Sequence, residues 1–227
     1  LPCYGSSIVN SPRGSEAYIV LPLCEMGTLQ QYVILGCYPY RSGLIHPSVP
    51  PEVQAAAPGI LLKVALALEA LHSAGFRHAD LKADNVLLHR RPDGGIAPYL
   101  TDFGSVTSVV QVLRSKRDRQ EAQDYAASFS TASYRAPELW EPMDQQCDTE
   151  VGLVVDGRCD VWAFGCLVYA LIFASTPFES ATQGLSSLAV QSGSYTLPEL
   201  DAGSTGYHKE YSRYCQIIRC CLTVQVL

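Results

Sequence analysis

Residues 78–85 (HADLKADN) place a histidine, two aspartates, a lysine and an asparagine within eight positions. Three further motifs follow in order: DFG at 102–104, TASYRAPE at 131–138 and DVWAFG at 160–165. Each alone is weak evidence, because an Asp-Phe-Gly tripeptide commonly marks a turn and a His-x-Asp sequence a capped loop. In this order and at these separations, the four motifs indicate one constellation assembled from distant segments.

The composition is that of a globular protein. The chain has 227 residues and a mass of 24.7 kDa, which suits one domain or two small lobes sharing a core. Hydrophobic residues make up 48% and charged residues 17%, a balance that argues against intrinsic disorder. The net charge of -6 argues against a nucleic-acid partner, because neutralising phosphates requires an excess of lysine and arginine.

The cysteines and the longest apolar run bear on the compartment. The nine cysteines are odd in number and lack the spacing of zinc ligands, so we interpret them as thiols in a reducing compartment. The run at 161–174 has 14 residues, fewer than the roughly 20 that span a membrane, and predicts a helix buried on all sides. The first residues do not resemble a secretory signal.

Periodicity and turn signals predict the elements that carry the motifs. The N-terminal half is predicted to contain strands over 3–9 and 17–23, a short helix capped by Thr28, a loop over 36–51 and a helix over 53–74 that ends at Gly75. The rest is predicted to contain strands over 85–89 and 99–102, an irregular stretch over 105–133 with a solvated basic cluster at 114–119, the buried helix, and a last helix near 207–224.

Together the four motifs resemble, in order and spacing, the catalytic half of a eukaryotic protein kinase domain. The resemblance implies an α+β fold, made mostly of the helical C-terminal lobe together with the hinge and the last strands of the N-terminal lobe. Residues 1–20 would end the N-terminal sheet, residues 21–27 would form the hinge, and residues 28–227 would form a C-terminal lobe that stops before its final helices.

The resemblance also implies transfer of the γ-phosphate of magnesium-bound ATP to the hydroxyl group of a protein substrate. Asp80 would accept the proton of that hydroxyl, and Lys82 would bring its ammonium group near the transferred phosphate. Asn85 and Asp102 would bind Mg²⁺, which prefers hard oxygen ligands, and are expected on adjacent strands of one hairpin.

The acceptor pocket is expected around Thr131. By the resemblance, Thr131 would hydrogen-bond Asp80 and Lys82 and shape the pocket beside the substrate hydroxyl. Lys82 follows Asp80 by two positions, and Thr131 precedes Glu138 by seven. This spacing resembles serine/threonine kinases rather than tyrosine kinases.

Residues 17–29 (AYIVLPLCEMGTL) resemble the hinge that binds the adenine ring. Leu21 would guard the back of the adenine pocket, and Leu87 would form its apolar floor. Backbone groups of Pro22 and Cys24 would face the edge of the ring. Because proline has no N–H, Pro22 could offer only its carbonyl oxygen.

Two features resemble the Numb-associated kinase family, and especially its branch of myristoylated and palmitoylated serine/threonine kinases. Asp124-Tyr125-Ala126-Ala127 precedes Thr131, and 22 positions separate Glu138 from Asp160, which leaves room for an additional helix over 140–156. The resemblance implies a cytoplasmic protein, with attachment to Golgi or other membranes only through an N-terminal lipid. No feature indicates an oligomeric state.

The sequence departs from the kinase pattern at both ends. No glycine-rich loop, Val-Ala-x-Lys strand or paired helix glutamate precedes residue 17, and the arginine that would pair with Glu138 would lie beyond residue 227. We therefore expect a truncated domain in which Glu138 lacks its usual partner. That fragment is expected to be nearly inactive alone and prone to aggregate.

Ala79 stands where the family usually has the arginine that clamps a phosphate on the activation segment. Phosphates on Ser128, Ser130 or Thr131 would then lack a cationic partner nearby. The hypothesis is that the full-length enzyme is active without such phosphorylation, and loss of activity on phosphatase treatment would contradict it.

Two other functions fit parts of the pattern. A pseudokinase or non-catalytic binding module would explain Ala79 and the missing nucleotide-covering elements, but has no need for Asp80, Lys82, Asn85 and Asp102 together. A small-molecule kinase of related fold is less consistent with the sequence, because those enzymes generally lack the Ala-Pro-Glu segment.

Overall fold

The computed structural model describes residues 3–34, 51–140, 152–180, 182–198 and 208–224, and the predicted α+β class is confirmed. The helices are α1 (Leu29–Ile34), α2 (Pro51–Ser73), α3 (Lys116–Phe129), α4 (Arg158–Phe173), α5 (Ser187–Ser192) and α6 (His208–Cys221). The strands are β1 (Gly5–Ser11), β2 (Gly14–Val20), β3 (Phe76–Arg77), β4 (Val86–Arg90), β5 (Ile96–Leu100), β6 (Thr107–Ser108), β7 (Gln111–Leu113), β8 (Leu153–Val155), β9 (Glu179–Ser180) and β10 (Gly184–Leu185).

All sheets within the described ranges are two-stranded and antiparallel, pairing β1–β2, β3–β6, β4–β5, β7–β8 and β9–β10. The β1–β2 hairpin turns at Pro12-Arg13, so its strands lie closer to the turn than the predicted ranges 3–9 and 17–23. Every residue of this hairpin is exposed, including Ile8 at 71% and Ile19 at 64%. The β4–β5 hairpin pairs Val86 with Leu100 and brings the segments before β4 and after β5 side by side.

Helix α4 forms the centre of the core, as its apolar sequence predicts. Its residues from Cys166 to Phe173 are all buried. Helix α6 crosses α4 closely at Gly165, where an added Cβ would lie 2.6 Å from the Cβ of Cys221. A larger side chain at Gly165 would therefore separate the two helices.

Helix α2 is long and apolar enough to span a membrane by length and composition alone, with a mean hydropathy of 1.4 over residues 55–73. One face of it, carrying Ile60, Val64 and Leu68, is buried in the core of the domain. The helix ends as predicted at Gly75, whose φ of 88° is left-handed and whose N–H bonds the carbonyl of His72.

The prediction of an irregular stretch over 105–133 is wrong, because α3 occupies residues 116–129. Ser115 and Asp118 form a reciprocal capping box at its start. Arg117 pairs with Glu121 at 2.8 Å one turn later. The basic cluster at 114–119 is therefore the first turn of a helix. This first turn has no apolar residue, and the apolar positions of α3 begin only in its second turn, at Ala122, Tyr125, Ala126 and Phe129.

Several further predictions either fall on residues outside the described ranges or differ from the structure in detail. The loop predicted over 36–51 lies outside the described residues except for Pro51, which begins α2. The additional helix expected over 140–156 lies mostly outside them, and its last part is strand β8 instead. The predicted cap of α1 differs in detail, since the Gln31 side chain accepts from the N–H of Thr28 at 3.3 Å. The described cysteines are free thiols.

Candidate active site

Asp80 lies in the loop between β3 and β4, and its carboxylate is fixed by four hydrogen-bond donors. Oδ1 accepts from the N–H and the Oγ1 of Thr131, both at 2.8 Å. Oδ2 lies 2.9 Å from Nζ of Lys82 and 3.2 Å from Nδ2 of Asn85. Asp80 is 9% exposed. The carboxylate therefore has one orientation.

Thr131 is hydrogen-bonded to both the Asp80 carboxylate and the Lys82 ammonium group. Nζ of Lys82 donates to its Oγ1 at 2.8 Å, and that hydroxyl in turn donates to Asp80. The hydrogen bonds expected among Asp80, Lys82 and Thr131 are thus present. They join the loop between β3 and β4 to a segment 49 to 51 positions away.

Asn85 and Asp102 lie next to each other across the β4–β5 hairpin, because the N–H of Thr101 donates to the carbonyl of Asn85 at 3.0 Å. Neither lies within a strand, contrary to the expectation. Asn85 ends a short 3-10 turn before β4, and Asp102 caps another after β5. Asp102 has a left-handed φ of 59°, and its exposed carboxylate accepts from the N–H of Gly104 at 3.4 Å.

The two side chains fit a magnesium site. Both donors of the Asn85 amide face Asp80, one to its carbonyl at 2.8 Å and one to its carboxylate, so the amide oxygen points the other way. That oxygen and the Asp102 carboxylate are hard ligands of the kind Mg²⁺ takes together with waters and substrate phosphates. No group of three His, Cys, Asp or Glu side chains among the described residues forms a closed metal cage, and Mg²⁺ does not require one.

Asp160, at the start of α4, supports the loop between β3 and β4 through hydrogen bonds to its backbone. It is 1% exposed and accepts from the N–H of His78 at 2.7 Å and from the N–H of Ala79 at 2.9 Å. Nε2 of His72, on α2, lies 2.8 Å from the same carboxylate. In the sequence, Asp160 stands in a motif without an assigned role, and nothing singles out His72. A lone aspartate at the head of an apolar helix was the available signal, because a buried carboxylate needs partners.

His78 links this loop to the DFG segment. Its Nε2 lies 3.0 Å from the carbonyl oxygen of Thr101, and its ring centroid lies 5.4 Å from that of Phe103. The residue before Asp102 and the residue after it are thus both in contact with one buried side chain.

Part of the segment expected to form the hinge runs beside β4. Gly27 accepts from the N–H of Leu88 at 2.8 Å, and Thr28 forms a bridge with Leu87, which places Leu87 against residues 27–28. Leu21 is 44% exposed, and Pro22 and Cys24 are half-buried. Burial raises the pKa of the Cys24 thiol. No hydrogen bond within the described ranges joins Leu21, Pro22 or Cys24 to Asp80, Lys82, Asn85 or Asp102.

Glu25 fixes the same segment to the C-terminal end of β4. Its carboxylate pairs with Nδ1 of His89 at 2.8 Å and accepts from the N–H of Arg90 at 3.2 Å. Residues 25–28 are therefore attached along β4, from Leu87 to Arg90.

One expectation about the segment before Glu138 needs correction. Nε of Arg135 donates to the Ser130 hydroxyl at 3.0 Å, so a cation does lie beside one of the three candidate phosphorylation sites. Glu138 is half-buried and accepts from the Cys159 thiol at 3.1 Å, which is a neutral partner and not the arginine that the sequence was expected to lack.

Comparison with known proteins shows similarity to protein kinases. A family model described as protein kinase domain matches residues 7–226. Serine/threonine-protein kinase 16 of Mus musculus is 35% identical over 175 residues, which cover 77% of this chain and 51% of that protein. Its counterpart in Homo sapiens is 38% identical over 131 residues, covering 58% and 39%. Serine/threonine-protein kinase ppk13 of Schizosaccharomyces pombe is 33% identical over 147 residues, covering 64% and 38%. The chain spans about half the length of the first of these relatives.

Proposed function

Because the chain belongs to the protein kinase family and resembles its Numb-associated kinases, we propose that it carries the catalytic centre of a serine/threonine protein kinase. The reaction would be transfer of the γ-phosphoryl group of ATP to a serine or threonine hydroxyl of a protein substrate. The bond from phosphorus to the substrate oxygen forms as the bond to the leaving diphosphate breaks, and the hydroxyl proton moves to a base.

One observation carries this proposal: the Asp80 carboxylate is bound on both oxygens by Thr131, Lys82 and Asn85. A general base must be oriented before the reaction, because reorienting it during proton transfer adds to the barrier. Four donors from three residues supply that orientation. A binding module has no physical need for it.

Each residue of the constellation then has a role. Asp80 accepts the proton of the substrate hydroxyl, and Lys82 stabilises the negative charge that develops on the transferred group. Thr131 keeps the two at fixed separation. Asn85 and Asp102 would hold Mg²⁺, which supplies charge neutralisation on the phosphates when bound.

The nucleotide base would lie along the hinge. Leu21 would close the back of its pocket and Leu87 would form the floor. The carbonyl of Pro22 and the backbone of Cys24 would bond the adenine edge. The contacts of Gly27 and Thr28 with β4 support this placement, because they set the floor residue beside the hinge.

The alternative is a non-catalytic module that binds proteins through this lobe. The fully exposed β1–β2 hairpin favours it, because apolar side chains such as Ile8 and Ile19 are available for contact. Ala79 also favours it. Nucleotide binding with no phosphoryl transfer would be its signature.

The experiment uses the whole protein that carries this sequence, with labelled ATP, Mg²⁺ and a serine/threonine peptide library. We expect labelled phosphoserine or phosphothreonine, and we expect Asp80→Asn to lower the rate about 100-fold or more. Asp124→Asn is the matched control, because Asp124 is exposed on α3 and contacts only Gln120 and Ser128 in the described chain. An Asp80→Asn rate equal to the control rate would contradict the proposal.

A further inference from the structure

Arg77, at the end of β3, is a buried cation with neutral partners. It is 2% exposed. Its guanidinium donates through NH2 to Oε1 of Gln111 at 2.7 Å and through NH1 to Sγ of Cys159 at 3.3 Å, while its Nε has no partner. A buried charge is costly unless compensated, so compensation for Arg77 must come from beyond its first neighbours.

Cys159 supplies the connection to a negative charge. Its thiol, 5% exposed, donates to Oε1 of Glu138 at 3.1 Å while accepting from Arg77. Burial, and next the charge of Glu138, raise the pKa of this thiol well above its usual value, so it keeps the proton that it donates. The thiol therefore lies between a guanidinium and a carboxylate and is hydrogen-bonded to both.

These contacts join parts of the chain that the reaction needs together. Gln111 lies near the start of the segment 102–138 and Glu138 at its end. Arg77 precedes His78, Ala79 and Asp80 directly. Arg77 thus bonds this segment directly at Gln111 and, through Cys159 on α4, at Glu138, so both contacts join the segment that carries Thr131 to the strand that leads into the loop of Asp80.

Other charges near this group have their own partners. Arg158 bonds Asp156 at 2.9 Å, and Glu138 adds to the electrostatic stabilisation of the Arg158 cation. Burial alone would raise the pKa of Asp156, but hydrogen bonds from Arg158 and the charges of Arg158 and Arg77 lower it. The direct hydrogen bonds nevertheless run from Arg77 through Cys159 to Glu138.

We propose that Arg77, Cys159 and Glu138 form a positioning relay that holds the peptide-binding part of the activation segment, residues 131–139, against the catalytic loop without a phosphate. This inference rests on the proposed kinase function, because it assigns the relay to affinity for the protein substrate. Arg77 then compensates within the fold for the arginine that Ala79 replaces. None of the three residues contacts the reacting atoms.

The test compares Cys159→Ala with Cys159→Ser in the whole protein that carries this sequence. Alanine removes the link, whereas the serine hydroxyl can still accept from Arg77 and donate to Glu138. We expect Cys159→Ala to raise KM for the peptide about fivefold or more while KM for ATP stays within about twofold, and Cys159→Ser to restore the wild-type value. Cys220→Ala, at an exposed thiol on α6, is the control.

A merely structural role would lower the active fraction without changing the peptide KM. The relay also predicts non-additivity: Arg77→Leu combined with Cys159→Ala should raise the peptide KM no further than the larger single change. An unchanged peptide KM in both single variants, or fully additive effects, would overturn the inference.

Hydrogen exchange gives a readout that does not depend on kinase activity. Amides of residues 131–139 should exchange several-fold faster in Cys159→Ala than in Cys159→Ser or in the Cys220→Ala control. If the protein transferred no phosphate but showed this difference, the proposed function would fail and the relay would stand. Equal exchange in all variants would refute the relay itself.

Discussion

Replacing Thr131 by valine tests the geometry of the candidate active site directly. Valine has nearly the same shape as threonine but no hydroxyl, so Thr131→Val removes the bond to Asp80 Oδ1 and the acceptor of Lys82 Nζ, both at 2.8 Å. The backbone N–H of residue 131 still reaches Asp80. The change therefore removes the hydroxyl that bonds both groups, while the loop and the direct contact between Nζ of Lys82 and Oδ2 of Asp80 at 2.9 Å stay in place.

The magnitude follows from the bonds that are lost. A hydrogen bond to a charged group contributes about 1.5–3 kcal/mol. Part of this is recovered here, because Thr131 is half-exposed and water can replace the hydroxyl. A net loss of about 2 kcal/mol in transition-state stabilisation corresponds to a roughly 30-fold lower kcat/KM.

Steady-state peptide phosphorylation measures this value, with the melting temperature recorded for each variant. Thr131→Ser keeps the hydroxyl and should stay within about threefold of the wild type, a small loss under the same conversion. A Thr131→Val enzyme with wild-type kcat/KM would refute the reasoning. So would an equal loss in Thr131→Ser, because the hydroxyl would then not be the cause.

Three further predictions concern the metal site, the loop support and α3. Asp102→Asn should lower activity about 100-fold and raise the Mg²⁺ concentration needed for half-maximal rate, with the melting temperature unchanged. Asp160→Ala leaves the buried N–H of His78 and the partly buried N–H of Ala79 without acceptors and should lower the free energy of unfolding by about 3 kcal/mol, measured by urea titration. Bonds from the Ser115 side chain and from backbone N–H groups lower the pKa of Asp118, so its capping contribution is complete above its usual pKa and is lost as pH falls through the lowered value. The protection factors of the amides in the first turn of α3, which correct for the intrinsic pH dependence of exchange, should fall accordingly as the pH is lowered.

Periodicity predicted the elements that build the core. Helices α2, α4 and α6 and the β4–β5 hairpin were expected close to where they lie, because each buries apolar side chains at a regular spacing. Helix α3 is not predicted because its first six residues are all charged or polar and its few apolar residues lie after them. Its stability comes from a capping box and from pairs such as Arg117–Glu121, which composition alone does not distinguish from a solvated loop.

Motif resemblance placed the site residues, but it could not supply their supports. The contacts among Asp80, Lys82 and Thr131 follow from residues that the motif names. Those of Asp160 with His72 join segments 88 positions apart. Nothing in the local sequence of either segment specifies the other, so only the packing of α4 against α2 reveals the pair.

Backbone strain offers an independent indication of where the function lies. Non-glycine residues with positive φ in the described chain are Ala79, Asp102 and Ala174. Ala79 directly precedes the candidate base Asp80, and Asp102 is itself a candidate metal ligand. Each such residue costs about 1–3 kcal/mol unless its surroundings compensate. At Ala79 the compensation is the bond from its N–H to Asp160, and at Asp102 it is the bond from Gly104. Glycine would relieve the strain at either position, but at Asp102 it would also remove the carboxylate. The two left-handed residues therefore mark the turns that carry the carboxylates of Asp80 and Asp102, the pair that we propose to act on one substrate.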